Sequence, residues 1–205
     1  MSRGGAIDRP DHRGEVAARA ALIALDRRGF LRLAGSAAAA GLLPLGCGDA
    51  PEALHPPADL ALRQLSPSGY ATFTAAAMRL VGPAGAERIR TRRIDAARAA
   101  DAWLDREPAL SGPLSQALLL LEYGVPPLVA KWRRFTALDG AAQDAVLDDL
   151  MRSRLDIKRD VFKGLRSVAL LAFYADPASE SLTGYPGPFG GSGGIEAAMT
   201  YESRT

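Results

Sequence analysis

The chain has 205 residues, a formal net charge of +2 and 48% hydrophobic residues, which suits one globular domain with extensions. The charge is divided unevenly. Residues 1–46 carry seven Arg and four Asp or Glu, a surplus of +3, whereas residues 51–205 carry 18 basic and 18 acidic residues. Because the larger part lacks the basic surplus of a nucleic-acid-binding domain, we expect no nucleic-acid partner.

Cysteine and histidine are nearly absent from the chain. The single cysteine, Cys47, excludes a disulfide within the chain, and the two histidines are His12 and His55. Catalysis by Ser–His–Asp or Cys–His groups needs these residue types, and so does the ligation of most zinc, haem and iron–sulfur centres. We therefore expect no metal site and no cofactor in the folded part of this chain.

The first 50 residues have the three parts of an export signal. Two adjacent arginines, Arg27 and Arg28, precede a modestly apolar run over residues 33–45. This run is well short of the roughly 20 residues that span a bilayer. A positive region, a short apolar region and small residues at the exit are typical of a secretory signal.

The residues around the arginine pair resemble the twin-arginine signal, whose pattern is Ser/Thr-Arg-Arg-x-Phe-Leu-Lys. Phe30 and Leu31 are in register with that pattern, while Asp26 and Arg32 replace its first and last residues. The resemblance implies recognition by the twin-arginine translocase and export in a folded state. We therefore expect a periplasmic or cell-envelope location.

The end of the leader, Leu43-Pro44-Leu45-Gly46-Cys47, resembles a lipoprotein box. Gly46 fits that pattern, but Pro44 stands where Leu or Val is usual. Cleavage before Cys47 would leave a lipidated cysteine that holds the protein at the membrane surface. The alternative is cleavage after Ala50, which removes Cys47, and both interpretations stay open. A single acyl chain binds a membrane only marginally.

The remaining sequence predicts an all-α fold, a compact bundle of about five to six short helices over residues 66–189. A Pro-rich linker precedes the bundle over residues 51–65, and a flexible tail follows it over residues 190–205. Ser66 and Pro67 form a good helix start, and apolar residues recur at helical spacing until Gly82-Pro83 ends the helix.

The next segments also favour helices. The arginine-rich run over residues 87–98 predicts a solvated helix start whose arginines pair with Asp95, Asp101 and Asp105. The run over residues 114–123 is apolar nearly all round, which predicts a buried helix.

A break at residues 124–127 separates that helix from the next one. This next helix is expected to place Leu128, Trp132 and Phe135 one above another, with Trp132 in the core. Asp139 is expected to cap a further helix. The last helix has an apolar stripe with steps of 4, 4, 3 and 4, formed by Ile157, Val161, Leu165, Val168 and Ala172.

An irregular segment rich in Gly and Pro, FYADPASESLTGYPGPFGG (residues 173–191), follows the last helix. Proline fixes φ and glycine permits positive φ, so the segment has a specified shape. Its aromatic residues suit an interface. The alternative is a loop that folds back over the helices and closes the core. The candidate partner-binding residues are Tyr174, Asp176, Pro177, Gly184, Tyr185, Gly187 and Pro188.

The leader, the helical body and an ending close to FYxDPxxxxxxGYPGP resemble the gluconate 2-dehydrogenase subunit 3 family. Its members are small subunits of membrane-associated or periplasmic sugar and alcohol dehydrogenases. The resemblance covers about residues 66–189, and its specificity lies in the leader and in the stretch from Phe173 to Pro188. The middle of the chain is matched only in its helical character.

The resemblance implies a large partner subunit that is a GMC-type flavoprotein containing FAD, often with a cytochrome c subunit. The FAD is expected in that partner and not in this chain. The large subunit usually lacks its own signal, so the small subunit carries it across the membrane. The family offers no settled catalytic residues, and none is assigned here.

Two other hypotheses stay open. A stand-alone exported helical lipoprotein would bind another component of the envelope. A free-standing exported enzyme would use an acidic pair such as Asp148-Asp149 for acid–base chemistry, although such pairs are more often exposed helix charges.

Overall fold

The computed structural model describes residues 50–183, and all regular elements within this range are helical. The all-α prediction is therefore confirmed for the described part of the chain. The α-helices are α1 (Pro67–Leu80), α2 (Gly82–Arg90), α3 (Ala96–Arg106), α4 (Ser111–Leu119), α5 (Val125–Leu128), α6 (Gly140–Arg152), α7 (Asp156–Tyr174) and α8 (Glu180–Thr183). A π-helical turn, Leu120–Gly124, joins α4 to α5, and 3-10 turns span Glu52–Leu54, Pro108–Leu110, Phe135–Ala137 and Pro177–Ser179.

Helix α1 lies at the centre of the bundle. The Ser66 hydroxyl accepts the backbone N–H of Gly69 at 3.0 Å, and proline is the first helical residue, as the sequence predicts. Residues 70–77 are all buried, because α2, α3, α4, α6 and α7 all pack against this helix. The helix ends before Gly82, whose φ of +77° is a conformation that glycine adopts without steric cost.

Helices α6 and α7 also follow the predicted pattern. Asp139 caps α6 by accepting the backbone N–H of Ala142 at 2.8 Å. Four residues of the predicted α7 stripe are buried and the fifth, Ile157, is partly buried. This stripe packs α7 against α1, α3 and α6.

Residues 51–65, predicted as a linker, are packed against the helices. Leu54 and Leu65 are buried in the core. The Asp101 carboxylate on α3 accepts the backbone N–H groups of residues 63–65 at 2.7–2.9 Å. The prolines make the backbone irregular here, but the apolar side chains and this carboxylate attach the segment to the bundle.

The arginine-rich run over residues 87–98 does not open a single helix. Helix α2 ends at Arg90, and Arg92 then adopts a φ of +53°. Helix α3 begins after Asp95, whose carboxylate accepts the backbone N–H of Arg98 at 2.9 Å. The run is thus the end of one helix, a turn and a cap.

The three aspartates that were expected to pair with these arginines have other partners. Asp95 accepts the Tyr70 hydroxyl at 2.8 Å on both oxygens, and burial is the main reason that the pKa of Tyr70 is raised. Asp101 binds the backbone of residues 63–65. Asp105 pairs with Arg63, which lowers the pKa of the Asp105 carboxyl.

The chain after the π-helical turn forms a short helix and a tight turn instead of the predicted longer helix. Pro126 and Pro127 lie in the first turn of α5, where a missing N–H is tolerated. Ala130 adopts a φ of +57°, and the backbone N–H of Lys131 donates to the Pro126 carbonyl at 2.9 Å. This arrangement satisfies a terminal carbonyl and stops the helix.

Because α5 stops, the residues at 128, 132 and 135 do not share a helix face. Phe135 is fully buried, whereas Trp132 is 56% exposed. The prediction that Trp132 is a core residue is therefore wrong. Leu119 and Tyr123, in the stretch predicted to be a buried helix, are exposed as well.

Candidate docking groove

An apolar groove of about 650 Å³ runs between helices α3 and α7. Small side chains form most of its walls, and two aromatic residues, Trp103 and Tyr174, lie along it. The aliphatic lining residues are Ala99, Ala100, Ala102, Val168, Leu171, Ala172 and Ala175. An apolar groove of this kind suits the docking of another apolar chain segment.

Trp103 lines the groove and carries a buried polar group. Its side chain is buried, and the indole N–H has no hydrogen-bond acceptor among the described residues. A buried donor without a partner costs about 1–3 kcal/mol. The charged groups of the groove are those of Arg106 and Glu107.

Tyr174 forms the C-terminal rim of the groove, at the end of α7. It is 51% exposed, and its ring packs edge to face on Phe173 with centroids 5.1 Å apart and planes at 87°. Phe173 is itself fully buried. The exposed ring is therefore supported by the core, which lowers the conformational entropy that it would lose on binding.

The segment after Tyr174 is held by its own hydrogen bonds. Asp176 accepts the backbone N–H of Ala178 at 2.9 Å, and the exposed Pro177 begins the 3-10 turn. Arg88 of α2 donates to the Ala178 carbonyl at 3.0 Å and to the Ser181 hydroxyl at 2.9 Å. The predicted residues Tyr174, Asp176 and Pro177 thus lie together at one end of the groove.

The other predicted functional residues lie outside the described part of the chain. They are Arg27, Arg28, Phe30, Leu31 and Cys47 in the leader, and Gly184, Tyr185, Gly187 and Pro188 after α8.

Sequence reasoning missed a buried polar cluster around Glu122 at the π-helical turn. The Glu122 carboxylate accepts the backbone N–H of Thr136 at 3.1 Å, its hydroxyl at 2.6 Å and the Thr72 hydroxyl at 3.2 Å. The Nε atom of Arg134 lies 3.9 Å from the same carboxylate. A single acid within an apolar run was the available signal. That signal did not reveal the partners Thr72 and Thr136, which lie 50 and 14 residues away in the sequence.

The acidic pair that the enzyme hypothesis used is engaged in ion pairs. Asp148 accepts from Arg152 at 2.7 Å, and Asp149 accepts from Lys158 at 2.7 Å. Neither carboxylate lines the groove. The pair therefore stabilises α6 and its junction with α7, and it gives the enzyme hypothesis no support.

Comparison with protein-family models, with curated proteins and with solved structures finds no match. Within residues 50–183, His, Cys, Asp and Glu side chains form no group of three or more able to hold a metal ion. In the same range no helix is long and apolar enough to cross a membrane.

Proposed function

We propose that this chain is the non-catalytic accessory subunit of an FAD-dependent sugar or alcohol dehydrogenase of the GMC type. It binds the flavoprotein in the cytoplasm and carries it through the twin-arginine pathway to the periplasm or cell envelope. Arg27, Arg28, Phe30 and Leu31 serve export, and Cys47 holds the complex at the membrane where it is lipidated. The observation that carries the proposal is the apolar groove with Tyr174 at its rim.

The walls of the groove suit the docking of a partner segment. Alanine side chains on α3 and α7 allow the backbone of a docked helix or extended strand to approach closely, and apolar contact drives association. Tyr174 is an exposed tyrosine, and tyrosine is among the residue types enriched at the hot spots of protein interfaces.

The fixed turn after α7 directs the C-terminal segment that carries the family resemblance. Asp176 caps the 3-10 turn and Arg88 binds the chain two and five residues later. The direction of the chain is therefore set before Gly184-Tyr185, which we propose as further partner contacts. Docking at the groove and contact by this segment belong to one interface in this proposal.

Co-purification tests the docking part of the proposal. The full chain with a C-terminal tag is purified from membrane and periplasmic fractions, and the eluate is examined by mass spectrometry and absorbance. We expect a co-eluting flavoprotein with flavin bands. Ala102→Arg and Tyr174→Ala should weaken its recovery, whereas Ala145→Arg, on an exposed position of α6, is the matched control.

Recovery that is equal for groove and control variants would show that the partner binds elsewhere. A single pure chain without a chromophore would contradict the proposal and would favour a stand-alone envelope lipoprotein.

Export is tested separately with Arg27→Lys combined with Arg28→Lys. The periplasmic flavoprotein should fall while the cytoplasmic pool rises, because the translocase requires the arginine pair. An unchanged distribution of the flavoprotein would remove the export role but would leave the docking role intact.

A further inference from the structure

The part of the chain that the structure describes begins with a tight turn. The backbone N–H of Leu54 donates to the Pro51 carbonyl at 2.8 Å, and that of His55 donates to the Glu52 carbonyl at 3.0 Å. The imidazole extends the turn, because the His55 Nε2 atom lies 2.9 Å from the Ala50 carbonyl oxygen. A carbonyl oxygen can only accept, so the imidazole donates this hydrogen bond.

Contacts with the rest of the bundle hold this turn in place. We call residues 50–55 the entry turn. The Leu54 side chain is buried, and Ala50 is partly buried against the same core. The guanidinium of Arg92 donates to the His55 carbonyl at 2.7 Å and to a second carbonyl of the turn at 3.3 Å. Opening the entry turn would therefore break several contacts together.

A candidate cleavage site lies within the entry turn. Of the two sites that the sequence leaves open, one is the bond before Cys47 and the other is the bond between Ala50 and Pro51. A protease that cuts a peptide bond takes its carbonyl oxygen into an oxyanion hole and binds the flanking residues in an extended form. In the entry turn the Ala50 carbonyl is bonded to His55, and residues 52–54 are helical.

We infer that the entry turn protects the Ala50–Pro51 bond from the processing protease, so that cleavage falls before Cys47 and the mature chain keeps this cysteine. The Gly46–Cys47 bond lies upstream of the entry turn in the sequence. Water adds across that amide and leaves a carboxylate on Gly46 and a new amino terminus on Cys47. The inference rests on the proposed export in a folded state, because it requires a chain that is already folded when it meets the protease.

Elastase, a serine protease that cuts after small residues, tests the protection directly. Proline at position 51 lacks the N–H that an extended substrate offers, so Pro51→Ala is made first and only the turn can then protect the bond. The purified full chain with this substitution is digested beside a synthetic peptide of residues 46–56 with the same substitution. We expect cleavage after Ala50 to be about tenfold slower or more in the folded chain, since it requires the locally opened population.

Variants of the turn and a matched control assign the protection to the observed contacts. His55→Ala combined with Arg92→Ala, in the Pro51→Ala background, should raise cleavage after Ala50 toward the rate of the peptide. Arg98→Ala, at an exposed position on α3, is the matched control and should leave cleavage slow. Circular dichroism melts check that each variant is folded, and His55→Ala alone replaces the double variant if that variant does not fold.

The first residue of the exported chain tests the same inference in cells. The chain with its natural leader and a C-terminal tag is purified from the envelope and examined by mass spectrometry. We expect it to retain Cys47, and a mature chain that begins at Pro51 would overturn the inference.

Two results of the digestion would also overturn it. One is an equal rate of cleavage after Ala50 in the folded chain and in the peptide, and the other is protection that persists in the double variant. A full-length chain confined to the cytoplasm would contradict the proposed export instead, and the elastase digestion would still decide whether the entry turn protects the bond.

Discussion

Replacing Asp101 is expected to detach the segment that precedes α1. Its Oδ1 atom accepts from the backbone N–H groups of Gln64 at 2.8 Å and Leu65 at 2.7 Å, and its Oδ2 atom accepts from Arg63 at 2.9 Å. The bond to Leu65 is fully buried and the other two are partly buried. Alanine at this position would leave all three donors without their acceptor.

The buried bond to Leu65 accounts for most of the expected loss in the free energy of unfolding. A buried donor left without a partner costs about 1–3 kcal/mol, and bonds to a charged acceptor lie at the upper end of that range. The two partly buried N–H groups can turn to water, so each adds about 0.5–1 kcal/mol. Asp101→Ala should therefore lower the free energy of unfolding by about 3–5 kcal/mol. This is a large part of the 5–15 kcal/mol that is typical of a domain.

Urea denaturation followed by circular dichroism measures this change, with amide hydrogen exchange of Leu65 as a local readout. Asp105→Asn is the control, because it affects the contacts of the exposed Asp105 with the side chains of Arg63 and Gln64 and should change stability much less. A loss below about 1 kcal/mol for Asp101→Ala, with Leu65 still protected from exchange, would refute the reasoning.

Three smaller predictions follow from other contacts. Tyr70→Phe removes a hydroxyl bonded to a partly buried carboxylate and should lower stability by about 1–2 kcal/mol in the same denaturation assay; no change would mean that water replaces the hydroxyl. Arg79 lowers the pKa of Asp144, so this pair stabilises the fold above the unfolded pKa of about 4, and the contribution is lost as the pH falls through the lowered folded pKa. Asp144→Asn should thus be slightly less stable than the native chain at pH 7, and the difference should shrink as the pH falls below about 4; a difference that does not shrink in acid would contradict this. A Cβ at Gly85 would lie 2.7 Å from Cγ2 of Val81 and 3.0 Å from Cζ of the buried Phe173. Gly85→Ala should therefore lower the thermal midpoint despite alanine's better helix propensity, with a loss of about 1 kcal/mol; a higher midpoint would show that both side chains have room to move.

Local sequence signals predicted the parts of the fold that depend on local physics. The caps at Ser66 and Asp139 and the stripe on α7 are set by residues within one or two helical turns, so the pattern alone identifies them. The groove at Tyr174 was predicted only as an interface, because its depth depends on how α3 and α7 pack. That packing brings together residues about 70 positions apart, such as Ala99 and Ala172.

The wrong prediction for Trp132 and the missed contacts of Asp101 and Glu122 have a shared physical cause. Trp132 stands at helical spacing from Leu128, but the turn at Ala130 ends the helix between them, and nothing in the sequence marks an alanine with positive φ. Asp101 and Glu122 looked like ordinary helix acids, yet both accept backbone N–H groups from distant segments. A carboxylate that binds backbone groups leaves no signature in the residue types of its partners.

Helix α1 is bonded to two different parts of the bundle. Tyr70 and Thr72 are two residues apart and therefore about 200° apart around the helix axis. Tyr70 reaches Asp95 at the start of α3, which forms one wall of the groove, whereas Thr72 reaches Glu122 in the π-helical turn. These two contacts thus hold α1 from opposite sides.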